Sequence, residues 1–77
     1  MKVIYFEDKG QDFLRWYVSD SNEIVGCEPF QAHAWCGRKI QPSTLAVGKK
    51  PFVLPKPGGS DRNPRQVNYS IIKIREA

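Results

Sequence analysis

Residues 13–18 read FLRWYV, and this stretch decides the fold that the sequence predicts. Aromatic and β-branched residues of this kind are enriched in strands, whose side chains alternate between two faces. One face then carries three apolar side chains, Leu14, Trp16 and Val18. The other face carries two aromatic rings and a cation, Phe13, Arg15 and Tyr17. We therefore predict a strand over 12–19 with one core face and one face of uncertain cover.

Strand-like segments flank this stretch on both sides. Before it, residues 2–6 are β-branched or aromatic, and the turn-prone residues 7–10 close the segment. After it, the turn cluster at 19–22 leads to a third strand over 23–27. Gly26 inside that strand indicates a bulge or a close approach of two backbones. The first half of the chain therefore predicts a β-meander.

The second half has shorter and less regular segments. Residues 38–41 are a strand candidate, and 51–54 form a short apolar piece. Residues 30–36 fit either one helical turn or a strand, and the sequence leaves that choice open. In the last segment, 66–76, apolar residues occur at both parities, so a bulge near Ile71 and Ile72 would keep them on one side.

Together these segments predict a mainly all-β domain of about five short strands with at most one short helical turn. Seventy-seven residues make one domain. In so small a chain, a bent antiparallel sheet or a partly closed barrel best hides the strand edges. Residues 55–65 hold three prolines and two glycines, which predicts a flexible basic loop within the domain.

The apolar runs and the cysteines indicate a compartment. Residues 3–6 form an apolar run that is much too short for a secretory signal or a membrane helix. The chain has two cysteines, Cys27 and Cys36, whereas a small secreted domain usually has more. We therefore expect a cytoplasmic protein that does not associate with membranes and has two reduced thiols. A single disulfide between paired strands stays open.

The net charge of +4 is unevenly distributed along the chain. Residues 1–37 carry three basic and six acidic side chains, a formal charge of −3. Residues 38–77 carry nine basic and two acidic side chains, a formal charge of +7. This distribution indicates a polarised field, which favours an anionic partner for the second half.

Two groups of residues predict a nucleic-acid-binding surface. Rings on a sheet surface with a guanidinium between them suit base stacking and a phosphate contact, as at Phe13, Arg15 and Tyr17. A second group could neutralise further phosphates, namely Lys49, Lys50, Lys56, Arg62 and Arg65. If both sheet faces are covered, however, the rings are core. A basic loop can also serve solubility alone.

The sequence predicts neither a metal centre nor a catalytic site. Cys27, His33 and Cys36 are the one metal-like set, and a structural zinc site needs a fourth ligand that no other Cys or His supplies. A Cys–His nucleophile would need an orienting partner, and none is evident. The chain also lacks a phosphate-cradling glycine motif. We expect no metal, no cofactor and no enzymatic activity.

The leading hypothesis is a small binding module for single- or double-stranded nucleic acid. The alternative is a protein–protein interaction module, such as a small inhibitor, an adaptor or a domain that self-associates. An open sheet edge and the acidic first half suit a protein partner. Both tryptophans, Trp16 and Trp35, are expected in the core.

Overall fold

A computed structural model describes residues 1–8, 11–28, 35–60 and 62–76, with the backbone alone for residues 8 and 11–13. The described residues form six strands: β1 (Lys2–Asp8), β2 (Gln11–Val18), β3 (Ile24–Glu28), β4 (Phe52–Val53), β5 (Arg65–Gln66) and β6 (Ser70–Glu76). One 3-10 turn spans Pro42–Thr44, and the described part of the chain contains no α-helix. The predicted all-β fold is confirmed.

Four of the strands form one antiparallel sheet in the order β3-β2-β1-β6. The meander of β1, β2 and β3 follows the prediction, and β6 then returns to pair with the free side of β1. β4 and β5 form a separate antiparallel ribbon. The larger sheet is not closed into a barrel, so β3 and β6 are its edge strands.

Register shifts interrupt the sheet where the sequence indicates bulges. Tyr17 pairs with Gly26 and Val18 with Ile24, so Val25 is an extra residue in β3. On the other side of the sheet, Tyr5 pairs with Lys73 and Phe6 with Ile71, which makes Ile72 an extra residue in β6. The bulge predicted near Ile71 and Ile72 is confirmed, and of the two possibilities left open at Gly26 the structure shows a bulge, at the neighbouring Val25. A third shift lies between β1 and β2, where Phe6 pairs with Leu14 and Glu7 with Asp12.

The core lies on one face of this sheet. The buried side chains of the four strands include Ile4, Phe6, Leu14, Trp16, Val18, Ile24 and Ile71. Buried residues of the second half cover them, namely Ile40, Pro51, Val53 and Val67. Phe6 and Trp16 meet edge to face with ring centroids 4.6 Å apart, an arrangement that adds to the apolar burial. Trp16 is fully buried, and Trp35 packs partly buried against the same core.

Single main-chain bridges, rather than long strands, hold the covering layer in place. The backbone N–H of Ile24 donates to the Arg38 carbonyl at 2.9 Å, and that of Ile40 donates to Asn22 at 2.8 Å. Lys39 forms an isolated bridge to Glu23, just before β3, and Ile40 forms one to Val53 in β4, so the strand candidate at 38–41 is reduced to two isolated bridges. The predicted segment 66–76 is split, since Arg65–Gln66 pairs with β4 and Ser70–Glu76 with β1.

Two further predictions meet the limits of the described residues. Most of the undecided segment 30–36 lies outside them, and Trp35 and Cys36 are half-buried in a turn. The described part of the loop 55–65 connects β4 to β5, with a turn closed by a hydrogen bond from the Gly59 N–H to the Lys56 carbonyl at 3.0 Å. No helix in the described ranges is long and apolar enough to cross a membrane.

The bulge in β6 makes a matched test possible on two adjacent isoleucines. Ile71 is 1% exposed and Ile72 is 37% exposed. We expect Ile71→Val to lower the free energy of unfolding by about 1 kcal/mol, because it removes a buried methylene. Ile72→Val should change it by less than about 0.5 kcal/mol. Urea unfolding followed by tryptophan fluorescence measures both, and equal losses would contradict the bulge.

Candidate nucleic-acid interface

The outer face of the four-stranded sheet, opposite the core, carries a cluster of aromatic and charged side chains. We call it the tyrosine–cation face, and it consists of Tyr5, Arg15, Tyr17, Glu28, Lys73 and Arg75. Strand alternation places these residues, since Tyr5 lies between the buried Ile4 and Phe6 on β1. Val3 also belongs to this side of β1 and is buried between its register partners on β2 and β6.

Tyr5 is the centre of this face and is surrounded by three cations. It pairs with Arg15 on β2 and with Lys73 on β6. The Arg15 guanidinium carbon lies 5.1 Å from the Tyr5 ring centroid, and the Lys73 ammonium nitrogen lies 5.6 Å from it. Arg75 Nη1 donates a hydrogen bond to the Tyr5 hydroxyl oxygen at 3.2 Å. The cation–π contacts hold positive charge close together on a surface where the cations would otherwise repel one another.

Tyr17 lies beside this centre and is held by β3. Its ring covers Gly26, where an added Cβ would lie 3.5 Å from a ring carbon. Its hydroxyl donates to Glu28 Oε1 at 2.6 Å. This hydrogen bond is the main reason why the pKa of the Tyr17 hydroxyl is raised, with smaller contributions from burial and from the Glu28 charge, while Arg15 acts in the opposite direction. Glu28 therefore keeps Tyr17 protonated and fixes its ring.

The face is open to solvent, which settles the question raised by FLRWYV. The side chains of Arg15 and Glu28 are 43% and 58% exposed, and they form an ion pair at 4.0 Å. Tyr5 and Tyr17 are half-exposed, and Lys73 and Arg75 are exposed. A pair exposed in this way contributes little to stability because water screens it. Arg15 and Tyr17 are therefore surface residues and do not belong to the core.

Phe13 has a different position from Arg15 and Tyr17 along β2. Its backbone lies at the register shift, between Asp12, which pairs with Glu7, and Leu14, which pairs with Phe6. The Phe13 side chain lies outside the described residues. Of the predicted set of Phe13, Arg15 and Tyr17, the last two are therefore placed on the tyrosine–cation face.

The predicted basic segment belongs to the other layer of the domain. Its members Lys49, Lys50, Lys56, Arg62 and Arg65 are all exposed. They flank β4 and β5, which cover the inner face of the sheet, so the fold does not merge them with the tyrosine–cation face. Lys49 lies nearest to β6, because its carbonyl accepts a hydrogen bond from the Ile71 N–H at 3.0 Å.

Sequence reasoning missed four members of the face, namely Glu28 on β3 and, on β1 and β6, Tyr5, Lys73 and Arg75. Alternation within 2–6 and within 70–76 would have placed them on one side of their own strands. The pairing of β1 with β6, which brings them together, has no signal in either segment. Arg75 and Tyr5 are 70 residues apart in the sequence.

The described residues offer no metal centre. Within them, no three His, Cys, Asp or Glu side chains are grouped so that they could hold a metal ion. His33, the middle member of the predicted metal-like set, lies outside them. The chemistry of the tyrosine–cation face is that of anion binding and ring stacking, because it combines guanidinium and ammonium donors with exposed phenol rings.

Comparison with known proteins adds no relative to this picture. No protein-family model matches the chain, and neither a curated protein nor a solved structure matches it significantly. Function is therefore inferred from the residues of this chain alone.

The hydrogen bond between Tyr17 and Glu28 can be tested by titration. Glu28→Gln removes the charge and the strong acceptor that stabilise the protonated phenol, so we expect the pKa of Tyr17 to fall towards its ordinary value. Tyrosinate absorbance against pH measures the change, with Tyr17→Phe identifying the step that belongs to Tyr17. Glu7→Gln, at the exposed end of β1, is the control. An identical titration of wild type and Glu28→Gln would contradict the assigned contact.

Proposed function

We propose that this chain is a non-enzymatic binding module that binds nucleic acid through the tyrosine–cation face. The observation that carries the proposal is the grouping of Arg15, Lys73 and Arg75 around Tyr5 on an open sheet face, with Tyr17 beside them. Phosphates are bound by Lys and Arg, and bases stack on exposed aromatic rings. Both kinds of contact are available here on one surface.

The spacing of the cations supports an extended polyanion rather than a single small anion. Lys73 and Arg75 are two residues apart on β6, which corresponds to about 7 Å along the strand. Arg15 lies on β2, two strands away and therefore about 10 Å across the sheet. A chain of phosphates can contact cations at these separations in succession, whereas one phosphate group cannot contact all three.

The rings favour single-stranded over double-stranded nucleic acid. Stacking on Tyr17 requires bases that are not already stacked in a duplex. The tyrosine–cation face lies on a four-stranded sheet, and not on an α-helix or two-stranded ribbon of the kind that enters a groove, so this face has no evident reader of duplex bases. The basic segment from Lys49 to Arg65 would add phosphate contacts from the second layer as the strand leaves the sheet.

A protein partner is the second candidate, and exposed apolar residues near the β6 edge favour it. Tyr69 and Ile72 are exposed next to Ile71, and Val47 is exposed one residue before Gly48, whose N–H donates to the Ile71 carbonyl at 2.7 Å. An edge strand with apolar neighbours can accept a strand from another chain.

Titration of a labelled mixed-sequence oligonucleotide, followed by anisotropy, tests the proposal directly. We expect saturable binding that weakens steeply with salt, and tighter binding of the single strand than of the duplex. Lys73→Gln should lower the slope of log affinity against log salt by about 1. Lys39→Gln removes the same charge from an exposed site outside both predicted surfaces and should change the slope less.

Absence of binding at low salt would reject the nucleic-acid function and favour the protein partner. Equal effects of Lys73→Gln and Lys39→Gln would keep a polyanion ligand but reject this face as its site. Circular dichroism of each variant checks that the fold is retained, which is expected because both lysines are exposed.

The stacking contribution of Tyr17 is tested by Tyr17→Ala. Loss of one base–ring stack is worth about 1–3 kcal/mol, so we expect affinity to fall roughly 5- to 150-fold, with a nearly unchanged salt slope because no charge is lost. Tyr69→Ala, an exposed tyrosine outside the face, is the control. A stacking role would be contradicted if Tyr17→Ala lowered the slope of log affinity against log salt but did not comparably lower the affinity at low salt.

A further inference from the structure

Two cysteines that are not joined by a disulfide lie in direct contact at the side of the core. Cys27 Sγ and Cys36 Sγ are 3.4 Å apart, and one thiol donates a hydrogen bond to the other. Cys27 is buried on β3 opposite Trp16, whereas Cys36 is half-buried in the turn that follows Trp35. The two sulfurs need only a small movement to reach the bonded distance of about 2.05 Å.

The backbone, rather than the thiols themselves, holds Cys36 against β3. The Gly37 N–H donates to the Ile24 carbonyl at 2.9 Å, and the Ile24 N–H donates to the Arg38 carbonyl at 2.9 Å. Gly37 has a φ of +89°, which a residue with a side chain rarely adopts and which turns the chain so that both bonds can form. The segment is therefore fixed immediately after Cys36, and the folded state presents the two sulfurs to each other.

We propose that Cys27 and Cys36 are a site of reversible oxidation, in which a low-molecular-mass disulfide such as oxidised glutathione converts the dithiol into an intramolecular disulfide. This site is separate from the tyrosine–cation face and does not depend on nucleic-acid binding. The proposal stands on the contact between the two sulfurs and on the backbone bonds that maintain it.

The exchange begins at Cys36, the more exposed thiol. Its thiolate attacks one sulfur of the small disulfide, forming a mixed disulfide and releasing the first thiolate. Cys27 is a poor first nucleophile, because burial, and then the hydrogen bond and charge of Cys36, raise its pKa to about 12. Once Cys36 is in the mixed disulfide, it no longer carries the negative charge that helped to hold the Cys27 proton.

In the second step, Cys27 loses its proton to water and attacks Cys36 Sγ, and the second small thiolate leaves. The two protein sulfurs have then lost two electrons and two protons. The small disulfide has gained two electrons, and its two thiolates take up protons according to the pH. The product joins β3 covalently to the turn that carries Trp35, whose ring centroid lies 6.2 Å from that of Trp16.

Equilibration of the reduced chain in glutathione buffers of defined ratio, with and without urea, tests this proposal. Alkylation and intact-mass analysis then count free thiols, intramolecular disulfides and mixed disulfides. We expect the intramolecular disulfide to form roughly 50- to 100-fold more favourably in the folded than in the unfolded chain, since folding already closes the loop between residues 27 and 36. The oxidised chain should melt roughly 10–20 °C higher than the reduced chain.

Single variants separate the two steps of the exchange. Cys27→Ala leaves Cys36 and should accumulate its mixed disulfide, whereas Cys36→Ser leaves the buried Cys27 and should react far more slowly. The wild-type comparison stands by itself if either variant fails to fold. The proposal is overturned if folding does not favour the intramolecular disulfide over the unfolded chain. It is equally overturned if the folded wild type stops at the mixed disulfide.

Discussion

The central position of β1 is the constraint on which the rest of the domain depends. β1 pairs with β2 on one side and with β6 on the other, so its two sets of side chains meet neighbours on both flanks. Ile4 and Phe6 point into the core, and Tyr5, between them, points to solvent. The same alternation that builds the core therefore also builds the tyrosine–cation face. A one-residue slip of β1 would exchange the two faces, because every side chain of the strand would move to the other side of the sheet.

The bulges reconcile this alternation with the sequences of the partner strands. Val25 and Ile72 are each an extra residue, and without them the residues beyond would switch faces. In β6 the bulge lets Ile71 stay in the core while Lys73 and Arg75 face solvent. Burying two cations on an apolar face would cost far more than the irregular backbone does. The register shifts are therefore what allows an apolar core and a charged surface to share the same strands.

The two chemical features of the domain lie on opposite sides of this sheet and differ in environment. On the outer face, the cations are exposed to water, and Glu28 moderates their field by pairing with Arg15 and Tyr17. Beside the core, burial favours the neutral thiol of Cys27, so its reactivity depends on its neighbour Cys36. β3 links the two regions, because Cys27 and Glu28 are consecutive and project to opposite faces. The proposed nucleic-acid binding and the proposed dithiol exchange can thus be tested separately.

The sequence by itself determined the structural features that depend on residues close together in the chain. The alternation in FLRWYV predicted that Trp16 is buried. The broken parity at Ile71 and Ile72 predicted the bulge in β6. The glycine in β3 indicated a bulge or a close backbone approach there, and the structure has the bulge. The sequence left open whether the face of Arg15 is covered, because alternation separates two faces without saying which is wet. The tertiary structure decided that this face is open to solvent. It also brought Lys73 and Arg75 to Tyr5, and it brought Cys27 into contact with Cys36. These features arise from strand pairing and chain reversal between distant segments, and no local pattern of residues specifies which segments meet.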